Sequence, residues 1–145
     1  MKYFAQSIFA ILLAVTASFA NETDVNDNAL ILKGAGINLD DFLWINRPIV
    51  VLADSPGDPR FVEQMRLLRE RLPDLKDRDV VVITDTEPSQ KTDLRQKLRP
   101  RGFMLVLIGK DGGIKLRKPS PWNVREISRI IDKMPMRRQE MRAGG

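Results

Sequence analysis

The sequence predicts an α/β domain, a mixed four-stranded sheet flanked by helices in the minimal order β-α-β-α-β-β-α, and three observations carry that prediction. Residues 49–53 and 80–84 are short, continuous apolar runs rich in Val and Ile, the pattern of strands buried on both faces of a parallel sheet. Between them, Phe61, Met65, Leu68 and Leu72 recur at helical spacing, which supplies the crossover that parallel strands need. A third apolar run, 104–108, leads through Gly109-Lys110-Asp111-Gly112-Gly113 into an alternating stretch, the signature of a hairpin.

Each element has its local reason. Asn38 caps a short turn in which Leu39, Phe42 and Leu43 share a face, and Arg47-Pro48 ends that turn. After the first strand, Ser55-Pro56-Gly57-Asp58 is a turn, with Pro presetting its second position and Gly accepting the positive φ of its third. Asp58 and Pro59 read as N-cap and first residue of a helix that runs to Pro73. Asp85-Thr86-Glu87-Pro88 turns the second strand into a short helix carrying Leu94 and Leu98. In the hairpin's second strand, Ile114 and Leu116 are expected to face inward, with Lys115 and Arg117 outward. Ser120-Pro121 is expected to start the last helix, whose stripe is Val124, Ile127, Ile130, Ile131 and Met134.

Residues 1–20 are set apart from this domain. Lys2 gives a positive start, 8–15 is a short apolar run, and Ser18-Phe19-Ala20 fits a small-x-small cleavage site, so the segment reads as a secretory signal peptide. The run is too short to span a bilayer, which takes about 20 apolar residues. Export to a periplasm or the cell exterior follows as an expectation, with no transmembrane span in the mature form. Residues 21–38 form a polar leader with one short strand at 29–32, and the domain is expected over 39–142.

The chain has 24 basic and 19 acidic residues, a formal charge of +5, and cleavage after Ala20 removes only Lys2 of these. Acids lead after the cleavage site, while Arg137, Arg138 and Arg142 crowd the C-terminal end. This balance suits a protein or anionic polymer of the cell envelope as partner. Without aromatic stacking motifs it does not suggest nucleic acid.

The turn that joins the first strand to the first helix carries a resemblance. Ala53-Asp54-Ser55-Pro56-Gly57-Asp58-Pro59-Arg60 resembles the thioredoxin signature, with Pro56 and Pro59 where the two cysteines would stand. The chain is similar, more specifically, to a cysteine-poor thioredoxin-like family of unknown function in exported bacterial proteins, also found in animal sushi-repeat-containing extracellular proteins. The residues carrying this are Leu39-Asp40-Asp41-Phe42 with Trp44 and Arg47, Arg78-Asp79-Val80-Val81-Val82, Gly102-Phe103, Leu107-Ile108-Gly109-Lys110-Asp111-Gly112, and the run from Ile131 through Pro135 to Met141. The resemblance covers about 39–142. It implies the fold and an extracytoplasmic setting, and it brings no catalytic residues to transfer. Thioredoxins place a cis-proline just before the third strand, where this chain has Phe103-Met104.

Absences narrow the chemistry. The chain contains no cysteine, so thiol-disulfide exchange and thiol peroxidase activity are excluded as intrinsic activities. Without histidine there is no His-based triad or His-containing zinc site, and no phosphate-cradling glycine motif is present. No cofactor is expected.

Polar groups at the carboxyl ends of the strands remain, where open α/β sheets place ligands. Asp54 and Asp85 are candidates for an oxygen-ligand metal site or an acid-base pair, with Ser55, Asp58 and Glu87 nearby and Arg101 to steady an anionic substrate. The competing reading is turn and cap chemistry, in which Asp and Ser bond their own backbone. Lys110, Lys115, Arg117 and Lys118 are candidates for a basic partner-binding face on the hairpin, or for charges that discourage edge pairing. Met136, Arg137, Arg138 and Met141 form either an adaptable interaction segment or, if Pro135 restarts a helix, a cover for the core. Trp44 and Trp122 are candidates to anchor a partner, but both adjoin core-facing segments and packing is the expectation for each. The expectation is a redox-inactive binding or accessory module, with a carboxylate enzyme and an envelope or matrix structural component as alternatives.

Overall fold

The computed structural model describes residues 29–144. The expected signal peptide and the first part of the leader lie outside the described residues. Five strands form one mixed sheet in the order β1-β3-β2-β4-β5: β1 (Ile31–Lys33), β2 (Arg47–Leu52), β3 (Val80–Asp85), β4 (Met104–Ile108) and β5 (Ile114–Lys118). The fifth strand corrects the expectation of four. β1 runs parallel to β3, with Ile31 opposite Val82, and so belongs to the sheet instead of to a leader. β2 and β3 are parallel, whereas β4 runs antiparallel to both β2 and β5.

The alternation of side chains along the strands divides the core in two. On one face Ile49, Val51, Val80, Val82, Leu105 and Leu107 meet α1 (Pro59–Arg69), α2 (Leu72–Asp77) and α4 (Val124–Asp132) through Met65, Leu68, Leu72, Leu75, Val124, Ile127 and Ile131. On the other, Val50, Leu52, Ile83, Val106 and Ile108 meet α3 (Asp93–Leu98) through Leu94 and Leu98, and a 3-10 turn (Leu39–Phe42) through Leu39. Burying one such Leu contributes about 1.5–3 kcal/mol.

Caps set the element ends. Asp58 accepts a hydrogen bond from the Arg60 N–H, Thr92 from Arg95 and Asn123 from Glu126. The last of these places the start of α4 at Val124, three residues beyond Pro121. Buried Gln64 fixes that loop, donating to the Trp122 carbonyl and accepting its N–H, both at 2.9 Å. Pro73 does not end α1. α1 stops at Arg69, and Pro73 sits in the first turn of α2, where its missing N–H has no helical partner to lose.

The hairpin also departs from simple alternation. Leu116 lies opposite Leu107 and Ile114 opposite Ile108, with a register shift between them. Cross-strand partners share a face, so the bulge turns Ile114 away from the face of Leu116, and Ile114 is exposed. At the turn Gly112 has φ +81, and a Cβ there would lie 2.8 Å from the Leu43 side chain. α5 (Pro135–Ala143) closes the chain against α4.

Candidate functional site

At the carboxyl end of the sheet, the predicted carboxylates take separate roles. Asp85 is buried, and its oxygens accept from Thr92 Oγ1 at 2.8 Å, Arg95 Nε at 2.8 Å and the Glu87 N–H at 3.1 Å. Burial works against the charged carboxyl, but the bonds from Thr92, Arg95 and Glu87 outweigh it and hold it below its ordinary range. Arg95 also donates from Nη2 to the Ala53 carbonyl at 2.6 Å and the Asp85 carbonyl at 3.0 Å, tying the ends of β2 and β3 together. Asp54 and Ser55 are exposed on the turn after Ala53, as is Arg101 before Gly102. None of them bonds to Asp85. Among the described residues no group of three or more Asp or Glu gathers as a metal cluster.

Asp58 caps α1 and also meets the Arg60 guanidinium at 3.2 Å. Those bonds lower its carboxyl from the ordinary value. Arg60 in turn lies over buried Phe103, 5.7 Å from the ring centre. The corner where a thioredoxin carries its thiols is therefore filled by a cap, an ion pair and an aromatic ring.

The opposite end is built on buried charge. Arg47 opens β2 with 1% of its surface exposed and grips Glu140 of α5 through both Nη atoms, at 3.0 and 3.1 Å. Its Nη1 also donates to the Arg78 carbonyl at 2.9 Å. Lys110 Nζ reaches Asp79 and Glu140, each at 2.8 Å. Arg78 pairs with Asp132 at 2.9 Å through two nitrogens, and Arg137 meets Asp77 at 3.0 Å and Asp132 at 3.3 Å. Burial opposes ionisation of Glu140, yet Arg47 and Lys110 hold its carboxyl below the usual range. Burial likewise opposes the charged form of Lys110, and Asp79 and Glu140 raise its ammonium above the usual value. The Arg78 bond lowers Asp132 against a smaller opposing effect of burial.

This arrangement corrects two expectations. Lys110 and Arg137 are buried and paired, so neither belongs to a basic outer face. Of the other hairpin cations, Lys115 pairs with Asp111 at 3.0 Å and Arg117 donates to the Leu98 carbonyl at 2.7 Å. Lys118 Nζ lies 4.5 Å from the centre of the Trp122 ring, a half-buried ring packed on the first core face.

Outside the charged cluster lies a groove of about 320 Å³. Gly109, Lys110, Asp111 and Lys115 border it on the hairpin side, and Met134, Pro135 and Met136 on the helix side, with Arg47 between. Its exposed lining is predominantly carbon. Arg138 and Met141 are exposed on α5.

Trp44, between the 3-10 turn and β2, stands in solvent, contrary to the expectation that it packs. It is 65% exposed, and Ile45 beside it is 63% exposed. Trp44 holds a left-handed backbone at φ 64, fixed by its N–H donating to the Lys110 carbonyl at 2.8 Å. For a bulky residue that conformation costs roughly 1–2 kcal/mol. Sequence reasoning missed Trp44's exposure and the role of Arg95. A cation three residues after Thr92 and facing the strand end was the available signal for Arg95; Trp44 offered none.

Sheet order, crossover and strand-turn-helix corner together define a thioredoxin-like protein. A family described as "Domain of unknown function (DUF4174)" matches residues 38–140, and the chain belongs to that family. Among solved structures, chloroplastic thioredoxin z is similar at 25% identity and a TM-score of 0.54, covering 71% of this chain and 92% of that one. The reduced 2-Cys peroxiredoxin of Plasmodium vivax is similar in fold, at 16% identity and a TM-score of 0.54, covering 72% and 85% of the two chains. A 46-residue stretch is 46% identical to Coiled-coil domain-containing protein 80 of Danio rerio, covering 31% of this chain and 5% of that protein.

Proposed function

We propose that the protein is an exported, redox-inactive, thioredoxin-like module that binds a partner in the cell envelope and uses no carboxylate chemistry. Support for redox inactivity is chemical: exchange and peroxidase reactions begin with a thiolate, and the chain has no cysteine. Support for a non-catalytic role comes from Asp85, whose oxygens are already engaged by Thr92, Arg95 and a backbone amide. Export rests on the leader pattern of residues 1–20.

The observation that carries the binding role is Trp44. A large aromatic ring held in solvent on a left-handed backbone adds strain and little packing to the folded chain. Trp is enriched among residues that dominate binding energy at interfaces. The test is crosslinked capture of partners in the native compartment by the mature chain and by Trp44→Ala. Loss of the captured species in the variant, with its melting temperature retained, is the expected result. An unchanged set of captured species, together with a rise in melting temperature on adding Ca, Mg or Mn that Asp54→Asn abolishes, overturns the reading in favour of a carboxylate enzyme.

A further inference from the structure

Resting on the binding role proposed for Trp44, we infer that α5 is a strap held shut by charge, which opens as a unit while the sheet stays folded and thereby regulates the turn that carries Trp44. Apolar burial does not seat this helix. Its only buried residue is Arg137, and among the described residues none of its side chains belongs to either apolar core cluster. Met136 is half-buried and Met141 exposed, and an open groove of about 320 Å³ lies between the first turn of α5 and the hairpin. Nor does a nine-residue helix hold together alone in water, where isolated helices shorter than about 12 residues are marginal.

Two residues one turn apart do the holding. Glu140 is gripped by Arg47 of β2 at 3.0 Å and by Lys110 of the hairpin turn at 2.8 Å, and Arg137 by Asp77 of α2 at 3.0 Å and Asp132 of α4 at 3.3 Å. Opening returns these charges to water and recovers hydration that burial withholds, so it costs less than exposing the apolar core. The hinge is Met134. Its backbone is extended, at ψ 138, as a residue before proline prefers, and its side chain packs on the first core face.

The same anchors hold the Trp44 turn. Lys110, whose ammonium takes Glu140 and Asp79, accepts the Trp44 N–H on its carbonyl at 2.8 Å. Asp79 in turn accepts Asn46 Nδ2 at 3.3 Å and the Arg47 N–H at 2.9 Å on its own carbonyl. Trp44 and Asp79 both hold left-handed backbones, at φ 64 and 54. Such strain persists only where the surroundings over-determine it, and Glu140 supplies part of that constraint through Lys110. Opening of α5 removes one of the two carboxylates on Lys110 and lets the turn relax. By linkage, a partner that requires the strained turn closes α5.

The experiment is native-state hydrogen exchange of the mature chain, read amide by amide where closing is faster than exchange. Glu140→Gln weakens only the closed form, so the α5 amides and the Trp44 amide are expected to speed up together by about tenfold. Ile83→Val weakens the core of the sheet, which the open strap leaves intact, so β3 amides are expected to exchange about fivefold faster while α5 and Trp44 are unchanged. Arg137→Lys, which breaks the contacts to Asp77 and Asp132, is the second latch variant, so that a folding defect in the first does not decide the result. Acceleration of α5 by Ile83→Val to the same degree as β3 overturns the inference, because α5 then opens only with the whole domain. A Trp44 amide indifferent to both latch variants also overturns it, because the turn is then uncoupled from the strap. Crosslinked capture keeps this apart from the binding role: if the exchange pattern holds while Trp44→Ala leaves capture unchanged, the strap stands and the binding role fails. If capture is lost with Trp44→Ala while the exchange pattern is absent, the binding role stands and the strap fails.

Discussion

The two ends of the sheet contain similar materials and spend them differently. At the carboxyl end, Asp85, Thr92 and Arg95 form a small satisfied unit that joins β2 to β3, and the thiol-like corner is occupied by Pro56, Asp58 and Pro59. At the other end, four cations and four carboxylates, Arg47, Arg78, Lys110 and Arg137 with Asp77, Asp79, Asp132 and Glu140, clamp α5 to the sheet and hold an apolar groove and an exposed Trp44 in place. The lesson is that the end resembling a reaction centre satisfies its polar groups internally, while the end built from structural ion pairs leaves an exposed tryptophan and an apolar groove at the surface.

The largest effect is expected from Glu140→Ala. Removing the carboxylate leaves Arg47 buried without its partner, a change of about 3–5 kcal/mol, and urea unfolding should show it. The same experiment on Arg95→Ala probes the other end, where Asp85 is left buried with only Thr92 and one amide. A cost of about 3 kcal/mol is expected there. If either variant loses less than about 1 kcal/mol, that end is not held by its charges as described.

A smaller, graded effect follows from acid. Glu140, Asp132 and Asp85 all titrate lower in the folded chain than their ordinary values of 4.5, 3.8 and 3.8. Between the folded and unfolded values the unfolded chain binds more protons, so stability rises with pH there. Their contribution is complete above those ordinary values and is lost as pH falls through the lower folded ones. Lys110 has the opposite sign: its stabilisation is present below 10.5 and disappears as pH rises beyond the raised folded value. Melting temperature measured against pH checks both limbs, and Glu140→Gln should flatten the acid one.

The smallest effect separates stability from binding. Trp44→Asn places a residue tolerant of left-handed backbone at φ 64 and removes little packing, so stability should hold or rise by about 0.5 kcal/mol. A loss above about 1 kcal/mol would show that the ring supports the fold after all.

Much of the fold was legible because burial writes itself into sequence. The runs around Ile49, Val80 and Met104 became β2, β3 and β4, and the stripe from Val124 to Ile131 became α4. Asp58 and Pro59 marked the start of α1 correctly. What escaped depends on tertiary partners. β1 is only three residues long and is stabilised by β3, which local pattern does not reveal. Ile114 was misread because the irregularity between it and Leu116 puts the two on opposite faces of the sheet. Arg47 and Lys110 look like surface cations until Glu140, 93 and 30 residues away, comes to meet them. Among candidate residues, Met136, Arg138 and Met141 fall on the outer side of α5 or on its groove, whereas Arg137 turns inward. The C-terminal segment is both cover and surface, a division set by helical period.

The central claim, that binding resides at the groove end and not at the thiol-like corner, is tested most directly by crosslinked capture in the native compartment with two matched surface variants. Met136→Glu alters the groove, and Asp54→Ser combined with Arg101→Ala alters the exposed corner. Loss of the partner with the first variant and retention with the second is the predicted result. Retention with the first and loss with the second contradicts the account and returns function to the carboxyl end of the sheet.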